Sequence, residues 1–107
     1  MIKVKIYRNR NGEIYAFDAL NHSQDIVCSA VSALTLNTIN AIEKFTDTTF
    51  TCKFDDNGGF LRFSCDDIRK NKHIHDVNLL LNTLSLGLSG IKEQYSDSII
   101  IIDKGGV

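Results

Sequence analysis

The chain has 107 residues, a formal net charge of −1 and a pI near 6.3. This length predicts a single domain over residues 1–107 with one hydrophobic core, and the near-neutral charge predicts no direct nucleic-acid partner. No run approaches the roughly 18 apolar residues of a membrane span, and the N-terminus alternates like a strand rather than a signal peptide. We therefore expect a cytoplasmic protein with no membrane partner.

The cysteines and histidines give no sign of a metal site. Cys28, Cys52 and Cys65 are odd in number and form no CxxC pair, which argues against a disulfide framework and a zinc site. His73 and His75 form a His-x-His pair, but no third ligand is evident. A solvated loop is the favoured interpretation, so we expect no metal and no cofactor.

The first predicted element is a β-hairpin. Asn11-Gly12 is typical of a two-residue turn between strands. This turn sets a register with the opposed pairs Val4–Ala19, Ile6–Phe17 and Lys5–Asp18. One face of the hairpin is then apolar, the other carries an opposite-charge pair, and the second strand reaches Leu20.

A helix with a cysteine near its start follows the hairpin. Asp25 is a favourable N-cap, and the apolar spacing indicates a helix from about Ile26 to Lys44. Cys28 falls in the first turn, where free N–H groups and the helix dipole favour a thiolate. His22, six positions earlier, can take the thiol proton and later protonate a leaving group. The alternative is a half-buried helix cysteine beside an unrelated histidine.

Other residues of this helix have predicted roles as well. Asp25 is expected to cap the helix and to stabilise an imidazolium, and N–H groups at the helix start are candidate oxyanion donors. Ser32 and Thr35 follow Cys28 along one helix edge, so Ser32 either contacts substrate, orients His22, or bonds a preceding carbonyl. The predicted core stripe beside that edge contains Val27, Ala30, Val31, Leu34, Thr38, Ala41 and Phe45.

The second half of the chain predicts another hairpin, a second helix and a final strand. A turn at Asn57-Gly58 pairs Phe54 with Leu61, Lys53 with Arg62, Cys52 with Phe63 and Thr51 with Ser64. The helix begins at about Asp76, and Leu79 and Leu86 fall off its core stripe. Four consecutive isoleucines in the last strand, Ser98–Asp103, predict burial on both faces.

These elements predict an α+β fold, with two helices packed on a mainly antiparallel sheet of about five strands. Helices can cover one face of such a sheet while a partner subunit covers the other. We therefore expect a homodimer.

The amino-acid sequence around Cys28 resembles that of a known family. The segment DIVCSAVSALTLNTINAIE, preceded by a histidine and followed by DDNGGF, resembles the ribosomal-processing cysteine proteases, the Prp family. The resemblance covers nearly the whole chain and is strongest from Asp25 to Glu43. It implies that Cys28 is the nucleophile. It also implies the substrate, the N-terminal extension of a precursor large-subunit ribosomal protein that is cut during ribosome maturation.

The histidine segment departs from the family pattern. In the family, the catalytic histidine lies in a Gly-His-Ala triplet roughly twice as far before the cysteine, with a mobile loop between them. Here the triplet is Asn21, His22 and Ser23, and most of that loop is absent. His22 therefore aligns either with the catalytic histidine or with a loop residue. We favour the first alignment, because the hairpin register places His22 just past the strand that ends at Leu20.

Two functions follow from these alignments. The first is a cysteine endopeptidase that acts through a dyad of Cys28 and His22, with Asp25 and Ser32 in support. The second is a catalytically silent Prp-like protein that binds the ribosomal-protein tail or precursor without cleaving it.

Overall fold

The computed structural model describes residues 1–21, 25–55 and 59–105. Within these ranges lie five strands and three helices. In chain order they are β1 (Ile2–Arg8), β2 (Ile14–Leu20), α1 (Ile26–Phe45), β3 (Thr51–Phe54), β4 (Phe60–Ser64), α2 (Asp66–Arg69), α3 (His75–Gln94) and β5 (Ile99–Lys104). The predicted α+β fold is confirmed. The one-turn helix α2 is an addition to the two predicted helices, because one turn carries too little periodicity to be recognised.

One five-stranded sheet forms the framework, in the order β3-β4-β2-β1-β5. Neighbouring strands are antiparallel except for β1 and β5, which are parallel. The predicted registers of both hairpins are confirmed, with Lys5 opposite Asp18 and Lys53 opposite Arg62. The predicted second turn, at residues 57–58, lies outside the described residues.

The predicted two-residue turn at Asn11-Gly12 is wrong in detail. The Asn9 N–H donates to the Glu13 carbonyl at 2.8 Å, which closes a three-residue loop over residues 10–12 with Gly12 at a φ of 81°. A β-bulge beside Tyr7 then adds one residue to β2. The longer loop shifts the pairing of β1 with β2 by one residue, and the bulge shifts it back by one. The register from Tyr7 to Lys3 is therefore the predicted one.

Both long helices pack on the same face of the sheet. The core between them and the sheet includes Val4, Ile6, Phe17, Val31, Ile42, Phe63, Leu81 and Leu88. The helices approach each other closely at Gly87 of α3, where an added Cβ would lie 3.0 Å from Cδ1 of Leu34 in α1. A larger residue at position 87 would therefore push against Leu34.

The buried surface of α1 is rotated relative to the predicted stripe. Cys28, Thr35, Ile39 and Ile42 are buried, whereas Phe45 is 72% exposed. Phe45 is the last residue of the helix, so its side chain passes the end of the packed core.

The last strand was predicted to be covered on both faces, and within the single chain the helices cover only one of them. Ile99 is fully buried, but Ile100 is exposed, because β5 is an edge strand and both long helices lie on one side of the sheet. Leu79 and Leu86 of α3 are exposed, as their positions off the core stripe predicted.

The helix α1 passes a length and composition test for a membrane span. An 18-residue window within this 20-residue helix has a mean hydropathy of 1.3, although no membrane-length run was expected from the sequence. This is weak evidence, because the core helix of a globular domain passes the same test. Seven residues of α1 are in fact buried within the domain.

Candidate active site

The strand that precedes α1 ends beside the start of β4, at one end of the sheet. β2 ends at Leu20, which pairs with Phe60 at the start of β4. Asn21 then adopts a left-handed backbone conformation, with a φ of 64°, and its N–H donates to the Gly59 carbonyl at 3.0 Å. The chain thus leaves the sheet where the sequence predicted, directly before His22. His22 itself lies outside the described residues.

Asp25 caps α1, as predicted. Its Oδ1 atom accepts a hydrogen bond of 2.8 Å from the Cys28 N–H, and its own backbone is extended. The Asp25 carbonyl accepts the first helical bond, from the Ser29 N–H at 3.1 Å. The carboxylate also interacts favourably with the positive end of the helix dipole. This cap holds Cys28 in the first turn.

The depth of Cys28 differs from the prediction. Cys28 was expected at a helix edge beside the core, but it is only 2% exposed and belongs to the core cluster. The rotated buried surface of α1 accounts for the difference. Little of the Cys28 side chain is therefore accessible to a peptide in this structure.

The cap also limits the backbone donors available for an oxyanion. The Cys28 N–H already donates to Asp25, so it is engaged unless the carboxylate releases it. The oxyanion donors at the helix start remain a prediction.

Ser32 and Thr35 have different environments. Thr35 is fully buried, and its hydroxyl donates to the Val31 carbonyl at 2.8 Å. This hydroxyl is therefore bonded within α1 and does not face a substrate. Ser32 lies one turn after Cys28 and is half-buried. Its role toward substrate or His22 stays a prediction.

The surroundings of Cys52 and Cys65 indicate structural rather than catalytic roles. Cys65 is fully buried, and its Sγ lies 3.7 Å from the Thr49 carbonyl oxygen. Burial raises the pKa of the Cys52 thiol, which disfavours a thiolate there. All three cysteines lie in the described ranges, and none of them forms a disulfide. Cys52 lies in β3, and Cys65 is the N-cap residue of α2 but makes no side-chain cap hydrogen bond.

The His-x-His pair lies at the far end of α1. His73 Nδ1 contacts Glu13 Oε2, and His75 Nδ1 lies 3.0 Å from Asp76 Oδ1. In the part of the chain that the structure describes, no group of three or more His, Cys, Asp or Glu side chains could hold a metal ion. A groove of about 590 Å³ lies here, between Phe45 and the start of α3. A 20-residue helix spans about 30 Å, so this groove is remote from Cys28.

An α+β domain that places one cysteine in the first turn of a capped helix is a scaffold for thiol chemistry. Similarity to known proteins assigns that scaffold to the cysteine proteases. The family described as cysteine protease Prp matches residues 1–100 of the chain. The chain belongs to this family, and the predicted enzyme class is confirmed.

Relatives with sequence and structure data agree with this assignment. The ribosomal processing cysteine protease Prp of Staphylococcus aureus (strain Mu50) is 30% identical over 105 residues, covering 92% of this chain and 95% of the relative. The structure of the S. aureus protease with a covalently linked product peptide has a TM-score of 0.86 at 31% identity, covering 97% of this chain and 100% of that chain. SMU.848 from Streptococcus mutans has a TM-score of 0.85 at 28% identity, covering 97% and 94%.

Proposed function

We propose that this protein removes the N-terminal extension of a large-subunit ribosomal protein during ribosome maturation, in the cytoplasm. The observation that carries the proposal is a capped helix-start cysteine in a chain that matches the Prp family over residues 1–100. The S. aureus relative is named for ribosomal processing. Its structures hold a substrate peptide and a covalently linked product peptide.

In the proposed mechanism, Cys28 and His22 form a catalytic dyad. His22 accepts the proton from Sγ, and the sulfur attacks the carbonyl carbon of the scissile peptide bond. His22 then donates that proton to the leaving amine as the C–N bond breaks, which leaves a thioester on Cys28. Water, deprotonated by His22, attacks the thioester and releases the acid and the free thiol. The charge of Asp25 favours the imidazolium.

Substrate binding and opening of the site are coupled in this mechanism. Because Cys28 is buried, the peptide has to displace the groups that cover the sulfur before attack. In the family a longer loop between the histidine and the cysteine helps to form the peptide site. The shorter segment in this chain is therefore expected to affect turnover and the order of substrate binding more than the fold.

Incubation with a synthetic precursor tail tests this function directly. We expect a single cut, detected by mass spectrometry as two fragments whose masses sum to the tail plus one water. A tail with the same composition in scrambled order is the control and should remain whole. A native tail that stays uncut while the protein remains folded would contradict the proposal.

The competing function is a silent Prp-like protein that binds the tail without cutting it. The burial of Cys28 and the shortened loop favour this alternative. Alkylation with iodoacetamide near neutral pH separates the two. A dyad cysteine reacts as a thiolate, so Cys28 should be labelled first, whereas the raised pKa of Cys52 keeps that thiol protonated until higher pH. Labelling of Cys28 no faster than Cys52, also with the tail present, would support the silent protein.

We also propose that the protein forms a homodimer through α3. Leu79 and Leu86, two helical turns apart, are 58% and 75% exposed. Residues seven positions apart lie on the same side of a helix, so the two leucines can pack together against a second copy.

A further inference from the structure

Basic side chains from four strands lie on the sheet face opposite the helices, here called the open face. Side chains alternate along a strand, and Val4 and Ile6 of β1 are buried under the helices, so Lys5 and Tyr7 point to the open face. Cross-strand pairing extends this assignment to the other strands. The basic residues of the open face are Lys3, Lys5, Lys53, Arg62 and Lys104.

The accessible charge of this face is positive. One cross-strand row runs through Lys53, Arg62, Asp18, Lys5 and Ile102. Asp55, the residue after β3, lies opposite Phe60 and is an exposed carboxylate at the rim of this face. Among the strand residues of the face, Asp18 is the one carboxylate, and it is only 4% exposed. Its charge is covered from solvent, whereas Lys53, Arg62 and Lys104 are exposed.

The buried carboxylate organises the side chains above it. Asp18 Oδ2 accepts a hydrogen bond of 2.9 Å from the Tyr7 hydroxyl, and Asp18 Oδ1 lies 3.5 Å from Arg62 Nε. The Arg62 guanidinium carbon and the Lys104 Nζ lie 5.6 Å and 5.9 Å from the centre of the Tyr7 ring. The centre of the face is thus a fixed aromatic and basic cluster.

A cavity on the same face provides further polar groups. It measures about 470 Å³ and is lined by Thr51, Lys53, Phe60, Arg62 and Ser64. The two hydroxyls lie beside two cations, a combination that can hydrogen-bond phosphate and sugar oxygens.

We propose that the open face binds RNA through the phosphate backbone. RNA carries a phosphate at every nucleotide, which matches cations spread over four strands, and Tyr7 and Phe60 add aromatic surface. A second copy of this chain fits poorly, because two open faces in contact would oppose two sets of cations. The inference goes beyond the proposed function, although the choice of RNA over other polyanions rests on its ribosomal setting.

This surface could not be recognised in the sequence, which predicted no nucleic-acid partner. The five cations lie in β1, β3, β4 and β5, separated along the chain by apolar and acidic residues. Only the pairing of the strands brings them to one face.

Binding of a fluorescent single-stranded RNA of about 20 nucleotides, measured by anisotropy over a range of salt concentrations, tests the proposal. The test variant is Lys5→Gln/Lys53→Gln/Lys104→Gln. Arg62 is retained because its loss would leave the buried Asp18 charge without its ion pair. The matched control, Lys44→Gln/Lys70→Gln/Lys72→Gln, removes the same charge away from the sheet.

We expect the wild type to bind RNA at low salt. The open-face variant should bind at least tenfold more weakly, with a salt dependence shallower by about 2 in log–log slope, since each lost phosphate contact removes about 0.7 for single strands. The control should stay within about twofold of the wild type, because it leaves the open face unchanged.

Several outcomes would overturn the proposal. These are no RNA binding at low salt, equal weakening in both triple variants, or competition by polyglutamate as effective as by unlabelled RNA, which would indicate an acidic protein partner. A dimer in sedimentation velocity that the open-face variant dissociates would assign this face to self-association instead. Cleavage of a short tail peptide by the open-face variant should match the wild type, so failure of RNA binding is distinguishable from failure of the protease function.

Discussion

Replacing Cys28 with alanine is expected to abolish cleavage of the precursor tail. The variant has no sulfur to attack the carbonyl and cannot form the thioester, and loss of a nucleophile of this kind lowers the rate by about 10³-fold or more. Mass spectrometry of the tail over time measures the effect. Full activity of Cys28→Ala would contradict the proposed mechanism.

The burial of Cys28 requires a control for folding. Removing a small buried group is expected to lower the free energy of unfolding by about 1 kcal/mol, measurable by denaturant titration. Cys65→Ala is the matched control, because Cys65 is also buried but is the N-cap residue of the short helix α2, away from the start of α1. It should lose similar stability while retaining cleavage. Equal loss of cleavage in both variants would attribute the effect to the fold rather than to the nucleophile.

Replacing His22 with alanine is expected to lower the cleavage rate by about 10²–10⁴-fold, because both proton transfers lose their carrier. The dependence of the rate on pH supplies a second measurement. In the wild type, the rate should rise as the imidazole loses its proton and becomes a base. His22→Ala should lose this inflection, a change that a purely structural role would not produce.

The two other histidines provide the matched control for His22. His73 and His75 are exposed and lie beyond the far end of α1, so His73→Ala and His75→Ala should cleave as the wild type does. Wild-type activity in His22→Ala would favour the second alignment, in which His22 is a loop residue. The dyad would then be wrong even if Cys28 is the nucleophile.

Much of the local structure could be predicted from the sequence. Side-chain alternation and the requirement for one apolar face set the registers of both hairpins, since a slip of one residue would turn every core side chain to the solvent. The Asp25 cap and the helix around Cys28 followed from short-range hydrogen bonding and apolar spacing. These features depend on residues close together in the chain. The amino-acid sequence around Cys28 also indicated the Prp family.

The tertiary structure alone decided the features that depend on distant segments. β5 pairs in parallel with β1 across most of the chain, and no local pattern specifies that neighbour. The burial of Cys28 depends on the orientation of α1 about its own axis. That orientation is set by packing against both α3 and the sheet. The open face arises in the same way. Lys5, Lys53 and Lys104 are far apart in sequence, and hydrogen bonding between their strands brings their charges onto one surface.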